Sequence, residues 1–169
     1  AILRKTDLTD ADLSHGLLVN PNFYKASLHQ TAINNSAILG GDLVKTSFKG
    51  ADLSDSALIG VDAQNASFEN AKLQNAALIS ANLQETDFTN ANLTDAMLAY
   101  SNVKDADFTG ANLTGARHHG VDWSQAKTPP ESVPAPLVML PDWVWPILGG
   151  ALLGMVALII YSLFRRKRT

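Results

Sequence analysis

Large apolar residues recur at every fifth position from the start of the chain: Leu3, Leu8, Leu13, Leu18, Phe23, Leu28, Ile33, Ile38, Leu43, Phe48 and Leu53. Two positions before each stands a small residue, such as Ala11, Gly16, Ala26, Gly41 or Ala51, and the rest are mostly Asp, Asn, Ser, Thr, Gln and Lys. Counted from Ala1, twenty-five such units run to Gln125 without a break. A helix of 3.6 residues per turn cannot hold a five-residue pattern on one face. A coil that turns a corner every five residues can, with the bulky residue filling its interior and the small one lining a corner. Such repeats stack, each burying the apolar face of its neighbour.

A second, longer period lies over the first. Phe48, Phe68, Phe88 and Phe108 are spaced by twenty, all at the centre of a unit, and predict one internal aromatic ladder. Every fourth unit is apolar where its neighbours are polar: GLLVN, SAILG, SALIG, AALIS and AMLAY, then ARHHG. In an outward-in-outward reading, Leu17, Val19, Leu39, Ile59, Ile79, Met97 and Ala99, with Tyr100 beside them, form one apolar stripe on the outside. A contiguous patch of this kind marks an interface more often than a bare surface. A different protein, a second copy of the chain, or the chain's own linker could cover it, and the first is the favoured reading. Two units depart from the pattern: Ala63 replaces the large centre residue, predicting a thin spot in the core, and His118 does so near the end, where Trp123 is expected to close the last coil.

The pattern A(D/N)LXX, plain in ADLSH, ADLSD, ANLQE, ANLTD and ANLTG, resembles the pentapeptide repeat family over about three quarters of the chain. The resemblance implies an all-β fold, a right-handed quadrilateral parallel β-helix with twenty residues per coil. Twenty-five units then make a little over six coils, roughly 30 Å long at strand spacing. It also implies a setting: the family is abundant in cyanobacteria and has lumenal members in chloroplasts, which points to a thylakoid and a photosystem-type complex. Some members mimic DNA and bind gyrase through an acidic surface, dimerising by the C-terminal end of the rod. Here that end continues into further chain, which disfavours this reading.

Beyond the repeats, residues 126–142 hold five prolines in seventeen positions, expected to form a stiff extended spacer. Residues 144–164 carry no charge and would span about 31 Å as a helix. The expectation is a transmembrane helix over 143–164, with Trp143, Trp145 and Tyr161 at the interfaces and the basic tail 165–169 (Arg165, Arg166, Lys167, Arg168) on the cytoplasmic or stromal side. The rod, 1–125, would then lie in the thylakoid lumen or periplasm, with a tail-anchored rod in the cytosol as the competing topology. Gly150 and Gly154 form a GxxxG pair suited to close helix packing. The start at Ala1 fits a cleaved export signal, Met removal or a trimmed chain.

Charge and composition narrow the chemistry. Residues 1–127 carry nine Lys and Arg against fourteen Asp and Glu, a net of −5, which argues against nucleic acid as partner. Cysteine is absent. The four histidines, His15, His29, His118 and His119, do not fall into a metal-binding spacing. No phosphate loop or nucleophile motif occurs, and a filled solenoid offers no substrate pocket. The reading is therefore a non-enzymatic protein with no cofactor, metal, nucleic acid or small-molecule substrate. Its apolar β-helix face would dock on an integral membrane protein complex, and one helix would contact lipid.

Overall fold

The computed structural model describes residues 2–137. The chain divides into two units, Ala1–Ala135 and Pro136–Thr169, and the first holds the repeats. It is a right-handed parallel β-solenoid. Residues twenty apart pair side by side along the whole stack, as in Asp7 with Ser27, Ser27 with Ser47, Ser47 with Ser67, and Ser67 with Asp87. Each coil has four sides. Their centre residues run Leu3 to Trp123 on the first, Leu8 to Phe108 on the second, Leu13 to Leu113 on the third and Leu18 to His118 on the fourth.

The backbone explains the composition of the units. The centre N–H donates to the next coil, as Phe48 does to Ser67 at 2.7 Å, and the residue before it donates to the previous coil, as Ser47 does to Ala26 at 3.0 Å. The fifth position takes a left-handed conformation, with φ between 45° and 60° in eighteen of nineteen non-glycine cases, including Asn65, Asn75 and Asn90; Gln125, in the terminal 3-10 turn, is the exception. The Asp or Asn at the second position closes a local turn by accepting the N–H two residues on: Asp12 from Ser14, Asp87 from Thr89, Asn92 from Thr94, Asn112 from Thr114. This is why polar residues that compete for backbone hydrogen bonds are preferred there. Ala32 and Lys72 lack that acceptor and still turn, so the coils on either side, and not the single side chain, decide the local form.

On the fourth side the second position carries no carboxylate or amide, and the backbone runs straight as strand. The strands are β1 (Leu17–Val19), β2 (Ala37–Leu39), β3 (Ala57–Ile59), β4 (Ala77–Ile79), β5 (Met97–Ala99) and β6 (Arg117–His119). They pair in chain order, parallel and in register, Leu18 beside Ile38, Leu58, Leu78, Leu98 and His118. The apolar units are thus the units that form the continuous sheet. A two-residue strand, β7 (Ala135–Pro136), follows in the chain.

The interior is filled by the centre residues, almost all of them fully buried from Phe23 to Phe108. Each such Leu or Phe contributes about 1.5–3 kcal/mol over an exposed one. The aromatic ladder forms as expected: Phe48, Phe68, Phe88 and Phe108 stack at 4.8, 5.1 and 4.9 Å between centroids, within 8° of parallel. Buried hydroxyls at the first position are all placed on carbonyls. Thr31, Thr46 and Thr86 donate to Leu8, Phe23 and Ala63 of the preceding coil, and Ser56 donates to Leu53 of its own. Ala63 is fully buried.

The end of the stack differs from the even pattern of the sequence. A single 3-10 turn, Trp123–Gln125, capped by Asp122, absorbs one residue. Asp107 then pairs with Thr128, twenty-one positions on instead of twenty. Trp123 is buried at this point, edge-on to Phe108 and His118.

Two expectations are corrected. Among the described residues no helix is long and apolar enough to cross a membrane; the Trp123–Gln125 turn is three residues long. Over the described residues the fold class is accordingly a parallel β-solenoid with no transmembrane helix among them, and the single-pass localisation that depended on that helix is corrected with it. The physical reason is that an uncharged stretch of bilayer length is a condition for spanning and does not itself establish a span. Residues 143–164, with Trp143, Trp145, Gly150, Gly154 and Tyr161, and the tail Arg165, Arg166, Lys167 and Arg168, lie outside the described residues.

Candidate interaction surface

The parallel register brings the predicted stripe together. Leu17, Ala37, Ala57, Ala77 and Met97 form one outward column, and Val19, Leu39, Ile59, Ile79 and Ala99 form the other. Along each column an apolar side chain is flanked by apolar side chains about 4.8 Å away. Ala57, Ala77, Ile79 and Ala99, with Ile59 and Met97 against them, make an apolar cluster separate from the interior core. No other side of the solenoid has one among the described residues.

Exposure is uneven along the stripe. Ile79 and Ala99 are only 9% and 7% exposed, whereas Leu17 and Val19 at one end are 49% and 56% exposed and Tyr100 at the other is 49% exposed. Leu39, Ile59 and Met97 are half-buried. The large exposed apolar surface therefore lies at the two ends, and the centre between them is buried or half-buried. Sequence periodicity assigns the side on which a residue lies but not whether it is exposed there, and it ranks Ile79 equal to Val19.

Glycines and a serine shape one border. The corner column beside the stripe reads Asn20, Gly40, Gly60, Ser80, Tyr100, Gly120, so no long side chain rises there until Tyr100. Tyr100 stands edge-on to His119 at 4.7 Å. The stripe ends in charge and polarity: β6 carries exposed Arg117, and behind it His118 Nδ1 and Trp123 Nε1 are buried with no hydrogen-bond partner. Burial of the imidazole, with His119 beside it, holds the His118 pKa below the ordinary histidine range.

The acidic side chains act as turn-formers. Hydrogen bonds from Ser14 to Asp12, and from Ser124 and Gln125 to Asp122, hold these carboxyls below the usual range. Thr109 and Lys127 bring Asp107 down to about 2. His29 bonds Ser47 through Nε2 at 2.7 Å. Among the described residues no group of three or more His, Asp or Glu is placed to hold a metal ion.

Comparison with known proteins agrees with this architecture. The family profile of pentapeptide repeats matches residues 46–84, 76–115 and 106–127, in eight copies. No curated protein matches significantly. Among solved structures, a trypsin-treated form of QnrB1, a plasmid-mediated fluoroquinolone resistance protein, superposes with a TM-score of 0.51 at 18% identity, covering 88% of this chain and 84% of that one. At that identity the likeness is one of fold alone. A second trypsin-treated form of QnrB1 gives 0.49 at 22% identity over 72% of this chain, which spans 65% of that structure's length. A pentapeptide repeat protein from the Arabidopsis thaliana thylakoid lumen is 29% identical over 68% of this chain and 66% of its own, with a TM-score of 0.28. The unbroken five-residue units, their coil-on-coil pairing twenty residues apart and the profile match together establish that this chain belongs to the pentapeptide repeat family.

Proposed function

We propose that the protein is a non-enzymatic interaction scaffold that docks on a partner protein through its apolar fourth side. The observation that carries this reading is the second apolar cluster, formed by outward positions of β3 to β5 and flanked by the exposed ends Leu17, Val19 and Tyr100. Exposed apolar surface confined to one side of a protein is a usual mark of an interface, and here it stands at both ends of that side, Leu17 and Val19 at one and Tyr100 at the other. The flat, in-register sheet offers a partner small aliphatic side chains at fixed spacing, and stacked coils give that surface rigidity.

The test uses the exposed ends, because a charge at buried Ile79 would confound folding with docking. The double variant Leu17→Asp/Val19→Asp and the single variant Tyr100→Ser should keep the solenoid folded, as checked by circular dichroism. Cross-linking and mass spectrometry of the protein in its native cell extract should recover a partner from the unaltered chain and lose it from the double variant. Equal recovery from both removes the apolar side as the docking surface.

A further inference from the structure

The fold repeatedly places opposite charges one coil apart. Lys49 pairs with Glu69 at 2.9 Å, Lys72 with Asp52 at 3.4 Å and Lys127 with Asp107 at 3.0 Å. One column does the reverse. The fifth positions at the corner between the first and second sides read Lys5, Lys25, Lys45, Asn65, Glu85, Asp105. All six share the left-handed turn, with φ from 55° to 58°, so they rise as consecutive rungs of one edge. Three positive charges stack, an uncharged amide follows, and two negative charges stack.

Like charges on adjacent strands repel. Other stacked acids have a local use: Asp42 and Asp62 each accept the N–H that closes their own turn. The fifth position serves no such turn. Among the described residues no carboxylate lies within salt-bridge reach of Lys5, Lys25 or Lys45. Lys25 lies over the Tyr24 ring at 5.3 Å, with Arg4 over the same ring at 4.9 Å, which adds to the basic end. At the other end Glu85 and Asp105, with Asn65, Asp87 and the Asp107–Lys127 pair, line an open groove of about 450 Å³, roomy enough to admit lysine side chains.

We propose that this column is an isologous interface between two copies of the chain. Reversed end for end, the column is its own complement. A two-fold axis through Asn65 places Lys45, one coil away on one side, opposite Glu85 of the second copy, one coil away on the other. Lys25 then lies opposite Asp105 of the second copy, two coils out. Symmetry repeats both pairs, giving four ion pairs about an Asn65–Asn65 contact, with rung spacing of about 4.8 Å on both copies. The contact is electrostatic and exposed, so it sets orientation and register and weakens as salt shortens the screening length. It uses the corner opposite the one where the third side meets the apolar side, so the apolar side stays free.

Sedimentation velocity of the full chain at low and high ionic strength (about 0.02 and 0.5 M) should show a dimer in the first condition and a monomer in the second. Two variants of equal net charge then test the register. Lys45→Glu/Glu85→Lys exchanges signs across Asn65 and leaves every pair opposite in charge; it should dimerise like the unaltered chain. Lys45→Glu/Asp105→Lys sets Glu against Glu and Lys against Lys; its dimer should weaken by more than about tenfold. Both substitute exposed turn positions, and circular dichroism checks that each stays folded. A monomer at low salt, or two variants that behave alike, overturns the proposal; association through the apolar side would give the second result.

Discussion

Trp123 meets Phe108 edge-on, with 5.4 Å between ring centroids and 67° between planes, where each lower phenylalanine is met by a parallel ring. The indole terminates the aromatic column instead of extending it. Aromatic pairs favour offset-stacked and edge-to-face geometries alike, so the change in angle keeps attraction while presenting no further face on which to stack. Replacing Trp123 by Ala should cost about 3–5 kcal/mol. The loss should be local. Hydrogen exchange should accelerate for amides around Leu113 and Ala116 and stay slow around Phe68; uniform acceleration would show that the turn holds the whole stack together.

Phe68 is stacked on both sides and fully buried. Phe68→Ala should destabilise by about 3–5 kcal/mol and Phe68→Leu by clearly less, because leucine keeps most of the volume. Urea denaturation of the two variants against the parent provides the comparison. If both cost the same, ring stacking outweighs volume in this column.

Gly41 occupies a first position with φ of 103°, and a Cβ there would lie 2.5 Å from the Pro21 carbonyl oxygen and 2.6 Å from its ring. Gly41→Ala should therefore destabilise by about 1–3 kcal/mol. Gly60 is a useful contrast: a Cβ meets nothing within 4 Å, although its φ is 65°. Gly60→Asn, a residue that tolerates this conformation, should leave the midpoint of thermal unfolding within a few degrees of the parent.

Acid should act on the solenoid in two windows. The folded-state pKa of His118 lies below its ordinary 6.5, so the unfolded chain binds this proton more readily and stability falls as pH drops below 6.5. His118→Leu should abolish that loss. Asp107 is held at about 2 against an ordinary 3.8, so its contribution is complete above 3.8 and disappears as pH falls from there towards 2. Asp107→Asn should shrink the second window, which Asp12 and Asp122 share, and leave the first. Denaturant midpoints measured across pH for the three chains separate the two.

The sequence carries the coil, the phenylalanine ladder and the apolar side because each is a strict count: centre residues recur every five positions and sides every twenty. What the count omits is exposure and small displacement. Ile79 and Val19 share a column, yet one is buried and the other exposed. The one-residue slip at Trp123–Gln125 is invisible in the even pattern of VDWSQ, because it arises from a helical turn held by Asp122. The Lys5 to Asp105 edge was readable in principle, by sorting charges by position within the coil. Summed net charge conceals it, since the two ends nearly cancel. The reading of 143–164 as a span rested on length, lack of charge and flanking aromatic and basic residues, with no repeat behind them to fix geometry, and these residues lie outside the described ones.

Pairing at a separation of twenty gives the molecule a phase. Inserting twenty residues between Gln64 and Asn65 would lengthen it by one coil and return every later side chain to its own side. Inserting five would turn everything beyond by a quarter, swinging Ile79, Met97 and Tyr100 off the line of Leu17 and Leu39 while every coil remained well formed. Such a solenoid can change its length only in whole coils if it is to keep one apolar side, and mutation by unequal duplication is tolerated in steps set by the circumference.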